Sequence, residues 1–200
     1  MNTKVCIIGA GSSGIVACKV LHQNHIPFDC FEKGSNFGGN WRYLNDNGMS
    51  SSYRSLHINT SKKVMAYSDF PMPESYPDYP SHFQIIEYFE SYVKHFGFEE
   101  KITFSTGVEH IEKVGDRHYK VRLDNGETRE YTDILVANGH HWKARYPDFK
   151  GDFEGLCIHS HDYKSPEIFQ GQKNVVVVGI GNSAVDIACE AARNSIGKVF

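Results

Sequence analysis

Gly9-Ala10-Gly11-Ser12-Ser13-Gly14 has the spacing GxGxxG. At that spacing each glycine has its own task. The first permits a tight turn, the second lets backbone approach a pyrophosphate, and the third lets a helix pack closely on a strand. The helix that follows would offer free N–H groups and its positive dipole end to the phosphates. Alone, the spacing is weak evidence. Here it follows the apolar run Lys4 to Ile8, opens a helix, and has Glu32 at the end of the next strand. A carboxylate there can accept hydrogen bonds from ribose hydroxyls. A glycine-rich turn with a surface glutamate is the plainer alternative, and it leaves this context unexplained.

The pattern recurs. Gly179-Ile180-Gly181-Asn182-Ser183-Ala184 follows four valines, Val175 to Val178, with alanine in place of the last glycine. These residues, with Asp186, are candidate contacts for a second nucleotide. Its ribose-reading position lies past Phe200, so the residues alone leave NAD and NADP open. Two dinucleotide loops in one chain suggest a flavoprotein, one nucleotide being the flavin and the other delivering hydride to it. A disulfide reductase would share both loops but needs a redox cysteine pair. Cys6, Cys18, Cys30, Cys157 and Cys189 lie far apart with no CxxC, and they read as reduced thiols serving as small core residues. His140-His141 and His159-Ser160-His161 invite a metal reading, the latter pair sharing a face if the segment is a strand. No Cys or carboxylate completes a ligand spacing, so no metal is expected.

The elements that must position these residues can be read from periodicity. Lys4 to Ile8 and Phe28 to Glu32 are strands, and Ser13 to Asn24 a helix with Ile15, Val16, Val20 and Leu21 at helical spacing. Residues 33 to 80 form a long irregular stretch, too aromatic for disorder. A helix over His82 to Phe96 has Phe83, Ile86, Phe89 and Val93 on one face, with Ser81 able to cap it. From Ile102 to Ile134 the pattern is strand-like, with a hairpin turn at Asp124-Asn125-Gly126. Asp133 to Ala137 reads as a buried strand, 140 to 172 as irregular, Ser183 to Arg193 as a helix, and a new strand begins near Lys198. A strand, glycine loop, helix, strand unit implies a parallel sheet covered by helices. The expected fold class is α/β: a Rossmann-like FAD-binding domain, with a parallel sheet plus a β-hairpin layer, followed by the start of a second Rossmann-like domain for the other dinucleotide, which the family resemblance given below makes NADP-binding. The second unit has too few strands to bury its sheet, so the chain reads as a fragment.

Composition is that of a soluble globular protein: 40% hydrophobic, 13% aromatic, 22% charged, with a formal net charge of -3. That charge gives no reason to expect nucleic acid or a membrane surface. No apolar run approaches the ~18 residues needed to span a bilayer, and no signal-peptide pattern precedes the first strand. A cytoplasmic location is expected.

The sequence resembles the flavin-containing monooxygenase family over nearly its whole length. Phe31-Glu32-Lys33 followed by Gly38-Gly39-Asn40-Trp41 is similar to the family's segment over the flavin. Leu56-His57-Ile58-Asn59-Thr60-Ser61-Lys62 resembles its Asn-Thr/Ser-x-Lys segment, and Phe70-Pro71-Met72-Pro73 with Tyr76-Pro77 its following loop. Most diagnostic is Phe153-x-Gly155-x-x-x-His159-x-x-x-Tyr163-Lys164, the family's FxGxxxHxxxY fingerprint. Related Baeyer-Villiger monooxygenases carry tryptophan where this chain has Tyr163.

The resemblance implies that NADPH reduces FAD and that a flavin hydroperoxide oxidises a soft nitrogen or sulfur nucleophile, with O2 and a small molecule as partners. It implies domains at 1–140 (FAD), 141–172 (linker) and 173–200 (the start of the NADP domain). It assigns Gly9, Gly11, Ser12, Ser13, Gly14, Glu32, Asn40, Trp41, Thr60 and, through its backbone, Val108 to FAD. Gly179, Gly181, Asn182, Ser183, Ala184 and Asp186 fall to NADPH. Asn59 takes the catalytic place near flavin and nicotinamide, because an uncharged amide supplies no acidic proton to discharge the oxidant. Plainer readings stand beside these: Trp41 as core, Asn59 as a loop residue, His159 as a linker hydrogen-bonder. A Baeyer-Villiger or N-hydroxylating enzyme, a non-catalytic flavin-binding fragment and a homodimer also remain open.

Overall fold

The computed structural model describes residues 2–200. Strands β1 (Val5–Ile8), β2 (Phe28–Phe31), β3 (Ile102–Thr103), β4 (Val108–Gly115), β5 (His118–Leu123), β6 (Thr128–Tyr131) and β7 (Asp133–Val136) build the first unit, with helices α1 (Ser12–Gln23), α2 (Lys62–Met65) and α3 (His82–Phe96). Strand β8 (Asn174–Val175), helix α4 (Asn182–Asn194) and strand β9 (Lys198–Val199) follow. β3, β2, β1 and β7 lie side by side in that order, all parallel. β4, β5 and β6 form an antiparallel meander. β8 and β9 pair in parallel.

The two faces of the parallel sheet follow from alternation along its strands. Val5 and Ile7 of β1, with Phe28 and Cys30 of β2, point into a core shared with α1 and α3. Cys6 and Phe31 point the other way, onto Val121, Leu123 and Tyr131 of the meander. The first unit is therefore three layers: helices, parallel sheet, meander. Asp29 bolts the last two together. It accepts from the Tyr131 hydroxyl at 2.7 Å and from Lys4 Nζ at 2.7 Å, with Arg129 3.5 Å away.

α3 is held at both ends. The Ser81 side chain accepts from Gln84 N while Gln84 reaches back to the Ser81 N–H, a reciprocal capping box, and Gly97 closes the helix with φ +69°. Its buried face is Ile85, Tyr88, Phe89, Tyr92 and Val93, whereas Phe83 is 52% exposed. The stripe expected through Phe83 is thus rotated. Tyrosines count as core here because their hydroxyls find partners: Tyr88 donates to Phe70 O and accepts from Tyr67 N.

Three other expectations are corrected. β7 is an edge strand whose Leu135 and Val136 are 41% and 67% exposed, since no layer covers it there. Of the four valines, only Val175 belongs to a paired strand, because β9 offers just two residues as partner, and Val176 and Val178 are exposed. His159 and His161 lie in a loop and turn, not on a strand. Within 33 to 80 the chain adds a 3-10 turn at Gly39–Trp41 and the single turn α2. Among the described residues no helix is long and apolar enough to cross a membrane, and no group of three or more His, Cys, Asp or Glu could hold a metal ion.

Candidate dinucleotide sites

The first glycine loop joins β1 to α1 at the carboxyl ends of the parallel strands. Gly9 has φ +94°, and a Cβ there would lie 2.7 Å from the Ala137 carbonyl oxygen. Gly14 is buried, and its Cβ would meet the Gly9 carbonyl oxygen at 1.9 Å. Those two glycines are demanded by the fold itself. Gly11 is different. Its backbone (φ -73°, ψ -171°) is open to any residue, and a Cβ would meet only the Gly39 Cα at 3.7 Å. Gly11 is also the N-cap of α1 and offers no side-chain acceptor to the first-turn amides. The Gly38-Gly39 turn lies against it, tied by Gly38 N to Ala10 O at 3.0 Å. The result is a bare backbone cradle of glycines at an uncapped helix start. It fits the pyrophosphate of FAD, which needs close backbone and N–H donors.

Glu32 is 4% exposed and both its oxygens are already engaged. Oε2 accepts from Ala10 N and Oε1 from Gly34 N, each at 2.8 Å. Oε1 also accepts from Asn47 Nδ2 at 3.5 Å, so it is Oε2 that keeps a second lone pair, to which a hydroxyl could still donate. The carboxylate thereby fixes the glycine loop. Sequence reasoning missed this bridging, since backbone partners leave no residue-type signal. It also missed Tyr67, whose hydroxyl donates to Ser12 O at 2.8 Å and ties the irregular stretch to the start of α1. Ser13 is exposed at the loop mouth.

Asn40 is exposed, and its Oδ1 accepts from Ser51 N (2.8 Å) and Ser51 Oγ (2.9 Å). Trp41 is half-buried against the helix-side core, so the core reading holds for part of its surface. Val108 opens β4 and packs partly on the meander cluster. It follows Thr106, whose N–H donates to Glu32 O. Asn59 and Thr60 are exposed. They form the tip between two ties, Ile58 N to Pro80 O (3.0 Å) and Lys62 N to Asp78 O (2.8 Å). Lys62 is the anchor: it is 8% exposed, and its ammonium donates to the carbonyls of Pro73 (3.3 Å), Glu74 (2.9 Å) and Tyr76 (2.6 Å).

The second loop is looser. Gly179 has φ +143°, and a Cβ there would lie 3.4 Å from the Ala184 Cβ. Gly181 is the N-cap of α4, and nothing lies within 4 Å of its Cβ position. Asn182 and Ser183 are exposed. The Asp186 carboxylate accepts from the Tyr53 hydroxyl. In the linker, Tyr163 is 1% exposed, stacks on Phe169 and donates to Glu190, while Lys164 Nζ donates to Ser50 O at 2.7 Å. His159 Nδ1 accepts from His161 N at 3.0 Å. Phe153, by contrast, is 75% exposed.

The chain thus sets a parallel sheet with a glycine cradle at its carboxyl edge beside a meander layer, and carries a second glycine loop at the start of α4. Residues 2–200 match the family model described as flavin-binding monooxygenase-like, and the chain belongs to that family. The family is flavin-binding by its description. Flavin-containing monooxygenase 5 of Oryctolagus cuniculus is 38% identical over 96% of this chain and 38% of its own. Dimethylaniline monooxygenase [N-oxide-forming] 2 of Mus musculus is 37% identical over 100% of this chain and 39% of its own. The solved S-allyl-L-cysteine S-oxygenase of Allium sativum is 29% identical with a TM-score of 0.87, over 98% of this chain and 50% of its own. The chain thus spans well under half the length of these curated relatives.

Proposed function

We propose that the full-length protein is an FAD- and NADPH-dependent monooxygenase that transfers one oxygen atom from O2 to a soft nitrogen or sulfur nucleophile. The observation that carries this reading is the space at Gly11, where a position free of any fold requirement for glycine nonetheless carries one beside the uncapped start of α1. N-oxide formation and S-oxygenation in the names of two relatives support the choice of nucleophile. So does Tyr163 at the fingerprint's last position.

In this reading residues 1–140 hold FAD, 141–172 link, and 173–200 begin the NADP unit. Gly9 to Gly14 hold the pyrophosphate, with Ser12 and Ser13 supplying first-turn amides, and Glu32 accepts from the ribose. The Val108 backbone flanks the adenine. Bound FAD supplies the redox and oxygen chemistry. Trp41 and Asn40 line the approach to it. Asn59, held out by the ties at Ile58 and Lys62, offers a polar face without an acidic proton, and Thr60 continues that face. Gly179, Gly181, Asn182, Ser183 and Ala184 receive the second dinucleotide.

The test is product analysis of the full-length protein with NADPH, offering a thioether and a cyclic ketone separately. Sulfoxide as the dominant product, with NADPH used in preference to NADH, is the expected result. Ester from the ketone at higher efficiency would move the enzyme to the Baeyer-Villiger class.

A further inference from the structure

Tyr53 and Tyr163 are 3% and 1% exposed, with ring centroids 5.8 Å apart. They come from distant places, the middle of the irregular stretch and the end of the fingerprint. Both hydroxyls reach the same helix: Tyr53 donates to Asp186 and Tyr163 to Glu190. Asp186 and Glu190 are four residues apart on α4, so their carboxylates rise from one face about one turn apart. Ile187 and Ala191, buried beside them, pack with both rings and with Phe169. Arg54, next to Tyr53, adds an ion pair to Glu167 and a bond from its N–H to Lys164 O at 2.8 Å. Burial, and then the neighbouring carboxylate, push both phenols above their ordinary range, so they remain donors at neutral pH.

We propose that Tyr53 and Tyr163 are a two-phenol clamp that positions the second dinucleotide loop against the first unit, with Asp186 and Glu190 as its grips on α4. Asp186, which the sequence offers as a nucleotide contact, then acts through the loop and not as a ligand. One hydrogen bond would leave α4 free to turn about its axis. Two, a helical turn apart, fix rotation and translation together, and α4 carries the Gly181 N-cap at its start. The clamp rests on the reading of that loop as the NADP site, and its test separates the two.

Full-length protein with FAD is prepared as wild type, Tyr53→Phe, Tyr163→Phe and the double Phe variant. Asp186→Ala is added alone and combined with Tyr53→Phe. The Phe variants keep both buried rings, and Asp186 is exposed, so the alanine exchange disturbs no core. NADP⁺ affinity is measured by titration calorimetry and FAD content by absorbance. The double Phe variant should bind NADP⁺ roughly five- to twentyfold more weakly, as loss of hydrogen bonds to charged acceptors implies, with FAD content unchanged. Asp186→Ala should lose as much as Tyr53→Phe, and their combination no more than either. NADP⁺ affinity within twofold of wild type in the double Phe variant overturns the clamp. So do additive losses, which would make Asp186 a direct ligand. Wild-type protein that binds no NADP⁺ overturns the functional reading, and the clamp's role with it.

Discussion

Glycines that look alike in a motif do different work, and the two kinds separate experimentally. Alanine is intrinsically better than glycine in a helix by roughly 1 kcal/mol, yet at Gly14 a Cβ would sit 1.9 Å from the Gly9 carbonyl oxygen. Overpacking against backbone wins, and Gly14→Ala should destabilise the fold by about 3 kcal/mol or more in urea titrations. Gly11→Ala meets only an ordinary contact with Gly39, so its stability should change by less than about 1 kcal/mol. It should nevertheless weaken FAD binding by roughly 10- to 100-fold in equilibrium titrations, because the methyl group takes space that the phosphate needs. Normal flavin content in Gly11→Ala would remove the cradle from the account. Asn59→Asp makes a second test at this scale. The exposed tip would then carry an ionisable group, and NADPH oxidation should persist while hydrogen peroxide replaces sulfoxide. The yield of product per NADPH should fall at least roughly tenfold, about 1.4 kcal/mol of discrimination. An unchanged yield would leave Asn59 an ordinary loop residue. Spacing made both loops legible; the split between Gly11 and Gly14 was not, since it depends on which backbone crosses behind each position.

The elements were legible where periodicity and end signals agreed. α3 occupies its expected span because Ser81, Gln84 and Gly97 punctuate it, but its buried face was read with Phe83 in place of Tyr88 and Tyr92. A tyrosine stripe looks amphipathic in sequence and becomes core only when hydroxyl acceptors such as Phe70 O are present. Lys62 was hidden for a related reason: a buried ammonium needs carbonyl partners, and those come from residues 73 to 76, beyond local reading. The joint at Asp29 gives a pH-dependent prediction. Burial alone would raise its pKa, but hydrogen bonds from Lys4 and Tyr131 and the charges of Lys4 and Arg129 outweigh it and hold the carboxyl below its ordinary value. A depressed folded-state pKa stabilises above the unfolded value, about 4, and that contribution is lost as pH falls through the folded one. Asp29→Asn should therefore cost about 1–2 kcal/mol at pH 7, and the gap to wild type should close progressively below about pH 4. A gap independent of pH in urea titrations would show that the charge at Asp29 contributes nothing.

For the molecule as a whole, the layering follows from β1 and β2 presenting apolar residues to both faces, as in Val5 to Ile8 and Phe28 to Phe31. The strand order, by contrast, was not readable, because pairing in a parallel sheet joins residues far apart in the chain. How the second unit docks was not readable, because Tyr53 meets Asp186 across 133 positions in the chain and neither residue type announces a partner. The central claim is that the two loops serve one oxygen-transferring enzyme. Its most direct measurement supplies the full-length, FAD-loaded protein with NADPH, a thioether and ¹⁸O-labelled O2, and weighs the sulfoxide by mass spectrometry. The account predicts one labelled oxygen atom in each sulfoxide and one NADPH consumed for each product. Unlabelled sulfoxide, or NADPH consumed with only hydrogen peroxide formed, would contradict it.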